Sequence, residues 1–413
     1  MGIADDDSPY INGIAQTDRV EELSDEQKGA LEFVRKFVKD PNRKHEVLGG
    51  VAGSGKSTII PYIISEYGGG YSVRVCAPTG KAALVLKRKG IVDACTLHSF
   101  LYEYRIRKNE AGVEEFVHYE RPWMAFAGVS LVIVDEASMV NREMFEYMDR
   151  LPFKTLYIGD HFQLPPVKDD FNIMLDPGYR MDTVLRQNAD NPIVMMADMA
   201  RHGKTIPLGD YGDSRKTRSF NEADLLEYDE ILVWTNEMRR NVNDMIRSRL
   251  GYERGIPHCE DKVICRMNNM AKNVYNGQIF HLMSTPARVS EHGWDVSMMD
   301  DVVYNDPYLM ASNDGNVKGI GAFNIDKMKF RGEGMKANLM EKRIGLRSKV
   351  KMEILLDWGS AITVHSAQGS SWPRVAVIEE PRMKHVMDTE TYHRWIYTAC
   401  TRAEDSVTIY SLS

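Results

Sequence analysis

Two α/β domains, each built on a parallel sheet, are the fold that this chain of 413 residues predicts. Three observations carry the prediction. Short β-branched apolar runs alternate with helical stretches. The runs are continuously apolar, as strands buried on both faces are. The alternation appears twice, once toward each end of the chain. The length fits two to three domains at roughly 150 residues each. With 43% hydrophobic and 27% charged residues, the chain has the composition of a folding protein. A formal charge of −7 excludes a basic polyelectrolyte, so any contact with nucleic acid has to be local. No apolar run approaches the roughly 18 residues of a membrane span. The N-terminus, with Asp5, Asp6 and Asp7, lacks a secretory pattern, so a cytoplasmic protein with no membrane partner is expected. Cys76, Cys95, Cys259, Cys265 and Cys400 form no CxxC pair and have no zinc spacing, and read as reduced thiols.

In chain order, residues 1–22 are polar and acidic and read as a flexible tail. A first α/β domain is expected over residues 23–188, with strands at 45–49, 73–77, 131–134 and 155–158 and helices after Lys56, Gly80 and Asn141. Within it, residues 101–122 alternate on either side of Asn109-Glu110-Ala111-Gly112, which predicts a protruding β-hairpin. A second α/β domain is expected over 189–260 and 357–413, with strands at 231–234, 361–364, 375–378 and 406–410 and helices at about 237–250 and 389–399. Residues 261–356 interrupt it as a β-rich insertion.

Gly50-Val51-Ala52-Gly53-Ser54-Gly55-Lys56-Ser57 matches GxxxxGK[ST] between an apolar run and a helical pattern. Glycines let successive N–H groups and the following helix N-terminus face phosphate oxygens. Lys56 then brings positive charge to the terminal phosphates, and Ser57 offers a hydroxyl to Mg²⁺. About 80 residues on, Leu131-Val132-Ile133-Val134-Asp135-Glu136 ends a strand in two carboxylates. Asp135 suits the metal, and Glu136 suits polarising the attacking water.

Gly159-Asp160-His161-Phe162-Gln163-Leu164-Pro165-Pro166-Val167 follows another strand, at the sheet edge where ligands bind. Leu185-Arg186-Gln187, Thr363-Val364-His365-Ser366-Ala367-Gln368-Gly369 and Tyr397-Thr398-Ala399-Cys400-Thr401-Arg402-Ala403 come after it. In this order the set resembles the superfamily 1 helicases of the 5′-to-3′ group, the RecD-like and phage Dda-like branch, over residues 23–410. The resemblance implies two RecA-like P-loop domains, with the hairpin as a duplex-splitting pin and the insertion as an SH3-like module. It implies an ATP-dependent DNA helicase that moves 5′ to 3′ on single-stranded DNA, uses ATP and Mg²⁺, and acts as a monomer on single-stranded DNA and its junctions with duplex, alongside replication or recombination proteins. A translocase that displaces proteins, or an ATP-gated binding module, shares many of these motifs.

By the same resemblance Gln27 reads the adenine. Gly50, Gly53, Ser54, Gly55, Lys56, Ser57, Thr58, Asp160 and Gly369 surround the nucleotide, and Ser57 and Asp135 hold the metal. Gln163 senses the γ-phosphate or the attacking water, and Arg186 and Arg402 are the two arginine fingers. Pro78, Thr79, Thr96, His98, Thr363 and His365 fall on DNA-contacting segments. The family usually has Lys where this chain has Ser366. Residues 327–351 hold nine Lys/Arg against two acids, a local net charge of +7 that suits phosphates.

Overall fold

A computed structural model describes residues 10–11, 14–15, 23–68, 72–108, 114–166, 169–184, 191–266, 269, 272, 274–288, 293–301, 316–323 and 354–412. It divides into two compact units. The first comprises Met1–Glu103, His118–Thr205 and Thr389–Thr401; the second comprises Tyr104–Val117, Ile206–Asp388 and Arg402–Ser413.

The first unit holds a six-stranded, fully parallel sheet in the order Tyr179–Met181, His45–Gly50, Lys154–Gly159, Leu131–Val134, Val73–Ala77, Cys95–Thr96. Its strands read as unbroken apolar runs because each face has its own core. Leu48, Val75, Ile133, Leu156 and Ile158 point to one cluster, and Val47, Cys76, Val132, Val134 and Tyr157 to the other. This is the period of two expected of strands, with both faces covered. Helix Asp25–Lys39 packs on the first cluster through Ala30, Leu31, Val34 and Phe37. None of the five cysteines forms a disulfide.

In the segment read as a tail, Tyr10–Ile11 and Ile14–Ala15 pair antiparallel. Strands Tyr102–Lys108 and Glu114–Glu120 form a two-stranded sheet, and the turn of that hairpin lies outside the described residues.

The second unit holds another six-stranded sheet, in the order Gly209–Tyr211, Ser214–Thr217, Ala403–Ser411, Trp372–Glu379, Glu230–Val233, Ala361–Thr363. Only its first pair is antiparallel. The two parallel sheets are those of two RecA-like domains. The insertion forms a third six-stranded sheet in the same unit: Ile279–Leu282, Lys262–Cys265, Ile354–Trp358, Asn316–Phe323, Gly293–Asp300 and Ala287–Arg288. Because Ile279–Leu282 also pairs with Gly293–Asp300, five of these strands close on themselves. Closure removes free edges and encloses a small core of Val263, Phe280, Leu282, Val296, Met298, Leu356 and Trp358. The basic segment 327–351 lies outside the described residues.

The grouping departs from the expected domain limits in four places. The hairpin segment Tyr104–Val117, expected within the first domain, groups with the second unit. Helix Pro192–Arg201 and helix Thr389–Cys400, assigned from sequence order to the second domain, pack on each other and group with the first unit. Asp357 and Trp358 complete a strand of the insertion rather than starting the next segment.

Buried ion pairs join the insertion to the second RecA-like sheet and its helix Asn236–Arg249. Arg239 meets Asp357 at 2.7 Å, Arg247 meets Asp261, and Lys262 lies 3.1 Å from Glu230 and 3.4 Å from Asp301. The attraction of Glu230 and Asp301 outweighs burial and raises the Lys262 pKa.

Candidate nucleotide site

In the first unit the strand His45–Gly50 runs directly into the glycine-rich loop. Gly53 and Gly55 take φ of 79° and 77°, the left-handed region that a side chain resists. Gly50 is required for space instead. A Cβ there would lie 2.8 Å from Ser54 Oγ and 2.9 Å from Lys56 Cγ. Lys56 folds back over the loop, its Nζ donating to the carbonyls of Gly50 at 2.6 Å and Val51 at 2.7 Å. Thr58 donates its N–H to Gly55 O at 3.1 Å, and the Ser54 hydroxyl is buried without a hydrogen-bond partner.

The metal-side pair is assembled: Ser57 Oγ donates to Asp135 Oδ2 at 3.0 Å, and Asp135 Oδ1 accepts the Glu136 N–H at 3.0 Å. Glu136 itself sits at φ 55°, a costly conformation for a non-glycine residue.

Gln27 is the N3 residue of helix Asp25–Lys39. It is buried and completes the capping box with Ser24, and its Nε2 lies 3.4 Å from the Gly55 carbonyl. Asp160 follows the strand Lys154–Gly159. Its Oδ1 accepts the Phe162 N–H at 3.0 Å, and its Oδ2 is met by Gln163 Nε2 at 3.3 Å. Burial lowers the pKa of His161, against the opposing fields of Asp160 and Asp182.

Tyr397, quoted within its motif but given no role, donates to Asp160 Oδ2 at 2.7 Å and accepts the Ala52 N–H of the phosphate loop at 3.0 Å. Burial and the Asp160 carboxylate push its phenol well above the usual range, so it stays protonated. The sequence signal was the spacing 394, 397, 398, one face of a helix.

Arg186 lies outside the described residues. Arg402 belongs to the second unit, is buried, and donates from Nη1 to the Ser370 carbonyl at 3.0 Å, next to Gly369 at φ 74°.

The expected DNA-contacting threonines share one local structure. Thr79 lies just after a parallel strand and Thr96 and Thr363 are the last residues of theirs, and each N-caps the next helix, accepting the N–H of Ala82, Ser99 and Ser366. Pro78 holds the chain between strand Val73–Ala77 and the Thr79 cap. His98 and His365 lie within the capped turns of Thr96 and Thr363, and burial lowers the His365 pKa. Ser366 Oγ lies 2.9 Å from Thr363 Oγ1, so the residue that replaces Lys reinforces the cap.

Residues 22–221 match the AAA domain family, and residues 359–410 match the UvrD-like helicase C-terminal domain. The ATP-dependent DNA helicase dda of Enterobacteria phage T4 is 25% identical over 94% of this chain and 99% of its own length. These matches make the chain similar to the superfamily 1 helicases of the RecD and Dda type. The ATP-dependent RecD2 DNA helicase of Deinococcus radiodurans is 26% identical over 93% of this chain and 48% of its own length. A structure of two Pif1 helicases on forked duplex DNA superimposes with a TM-score of 0.56, covering 94% of this chain and 92% of the other at 18% identity. At 0.55, Bacteroides Pif1 bound to single-stranded DNA gives nearly the same fold match.

Proposed function

We propose that this protein couples ATP hydrolysis to 5′-to-3′ movement on single-stranded DNA and to separation of duplex DNA. The observation that carries the reading is the assembled Ser57–Asp135 pair beside a phosphate loop whose lysine is held by its own carbonyls. Triphosphate oxygens offer Lys56 stronger, charged acceptors than Gly50 O and Val51 O, so binding exchanges one set of bonds for the other. Among the described residues no group of three or more His, Cys, Asp or Glu side chains could hold a metal. Ser57 and Asp135 fit Mg²⁺ only as part of a shell completed by phosphate and water, where the ion neutralises phosphate charge.

Glu136 is the base side of the site, Gln163 the water-side contact, and Arg186 and Arg402 the guanidinium groups that meet the transition-state charge. Gln27 addresses the base, Gly53, Ser54, Gly55 and Thr58 the phosphates, and Asp160 and Gly369 the loops around them. Single-stranded DNA and its junctions with duplex are the partners, met by the segments of Pro78, Thr79, Thr96, His98, Thr363 and His365 and by the basic segment 327–351. The helicase works as a monomer in the cytoplasm, beside replication or recombination proteins. No helix among the described residues is long and apolar enough to cross a membrane.

Duplexes with a 5′ or a 3′ single-stranded tail, incubated with ATP, test the reading, with Lys56→Ala as the inactive control. The expected result is separation of the 5′-tailed substrate alone, abolished in the variant. ATP hydrolysis stimulated by single strands without strand separation would instead make the protein a translocase.

A further inference from the structure

Three side chains on one face of helix Thr389–Cys400 hold the loop that follows strand Lys154–Gly159. Arg394 Nη1 donates to the carbonyls of His161 at 2.7 Å and Gln163 at 3.3 Å. Thr398 Oγ1 accepts the Leu164 N–H at 3.0 Å. Between them Tyr397 bonds to Asp160 and to Ala52. The direction of each bond is forced. A carboxylate only accepts and a backbone N–H only donates, so the phenol proton points to Asp160 while its oxygen takes the Ala52 N–H. The same logic turns the NH₂ of Gln163 to Asp160 and leaves Gln163 Oε1, a buried acceptor, without a hydrogen-bond partner. Such an atom calls for a donor. Phosphate oxygens have no proton to offer it, whereas water does.

We infer that Tyr397 is a positioning residue for hydrolysis, holding Asp160 so that Gln163 presents its carbonyl oxygen to the attacking water, and fixing the phosphate loop at Ala52 with the same hydroxyl. This rests on the ATPase reading above, and it selects the water over the γ-phosphate as the partner of Gln163. In the step it serves, the water oxygen bonds to the γ-phosphorus as the bond from that phosphorus to the β–γ bridging oxygen breaks. The water's proton passes to Glu136, and ADP leaves with the electron pair of the broken bond. Gln163 orients the water and takes no proton.

The test is Tyr397→Phe in the full chain, with DNA-stimulated ATP hydrolysis and the affinity for a fluorescent ADP measured side by side. Loss of a supporting hydrogen bond of this kind should lower kcat about 10- to 100-fold. ADP affinity should fall by less than kcat does, since the lost Ala52 bond touches the loop in both states whereas the Gln163 contact with the attacking water is made only in hydrolysis. Gln163→Ala should show the same split, and the double variant should be no slower than the slower single one, because both act on one water. Full kcat in Tyr397→Phe, a loss confined to ADP affinity, or multiplying deficits in the double variant would each overturn the inference. If Tyr397→Phe does not fold, Asp160→Asn removes the same anchor: a matching kcat deficit supports the inference and unchanged kcat overturns it. Absence of DNA-stimulated hydrolysis in the unaltered chain, or hydrolysis that survives Lys56→Ala, rejects the ATPase reading itself.

Discussion

Replacing Asp357 by Leu tests how the insertion is attached. Asp357 lies in the insertion strand Ile354–Trp358 and Arg239 in the helix Asn236–Arg249, their side chains 5% and 1% exposed and 2.7 Å apart. Removing one member of a buried pair leaves the other charge uncompensated, at a cost of about 3–5 kcal/mol. For a unit of this size each kcal/mol moves Tm by about 2–4 °C, so a drop of about 6–20 °C is expected. The double variant Arg239→Met with Asp357→Leu removes both charges of this pair and should recover part of the loss, Arg266 still facing the place of Asp357, its Nη2 3.6 Å from the carboxylate of the unaltered chain. A residue of about 1–3 kcal/mol should remain, because Asp357 Oδ1 also accepts the Trp358 N–H. Circular dichroism gives Tm, and amide hydrogen exchange at 239–247 and 354–358 assigns the transition to the second unit. Arg254→Ala is the control: its partner Asp244 is 2.7 Å away, but the two side chains are 74% and 30% exposed. An exposed pair of this kind is worth under about 1 kcal/mol. A loss of that small size in Asp357→Leu, or a double variant as unstable as the single, would refute the claim that these buried pairs join the insertion to its domain.

Gly50→Ala places a methyl group against Ser54 and Lys56, so ATP affinity measured by titration should fall at least about tenfold while Tm changes little. Glu136→Gln should keep nucleotide binding and lower hydrolysis about 10²- to 10⁴-fold in a steady-state assay, the usual contribution of a positioned base. Burial depresses His161 and His365 below the ordinary 6.5, so the unfolded chain binds protons that the folded one refuses. Above 6.5 neither contributes; as pH falls below it, stability declines. A Tm series between about pH 5 and 8 should show that slope, and His161→Gln should flatten part of it. An unchanged slope in that variant would remove His161 as a cause.

What the sequence made legible was chemistry encoded by neighbours. The phosphate loop is eight consecutive residues whose glycines, lysine and serine have local reasons to be there, and Asp135 is readable because it ends an apolar strand. The threonine caps Thr79 and Thr363 likewise lie at the ends of strands visible as apolar runs, whereas the two-residue strand Cys95–Thr96 left no such run to mark Thr96. Contacts made by distant residues were not readable. Ala52 and Tyr397 are 345 positions apart, and no pattern around either names the other. The helix that carries Tyr397 shows why. Residues 395–400 are all buried, so the second half of that helix has no solvent face whose polarity would tell which unit it packs on. Sequence order assigned it to the strands on either side of it, while the bonds of Arg394, Tyr397 and Thr398 tie it to the loop of Asp160 and Gln163. The strands Gly209–Tyr211 and Ser214–Thr217 escaped for the opposite reason. They carry Asp210, Arg215 and Lys216 where strands usually show apolar residues, and Lys216 is buried only because Glu379 lies 2.7 Å from it. In both cases the missing information is the identity of a partner, which composition cannot supply. A helix face spaced 394, 397, 398 beside a motif of known chemistry was the one clue available, and it points to the residues that orient the reaction.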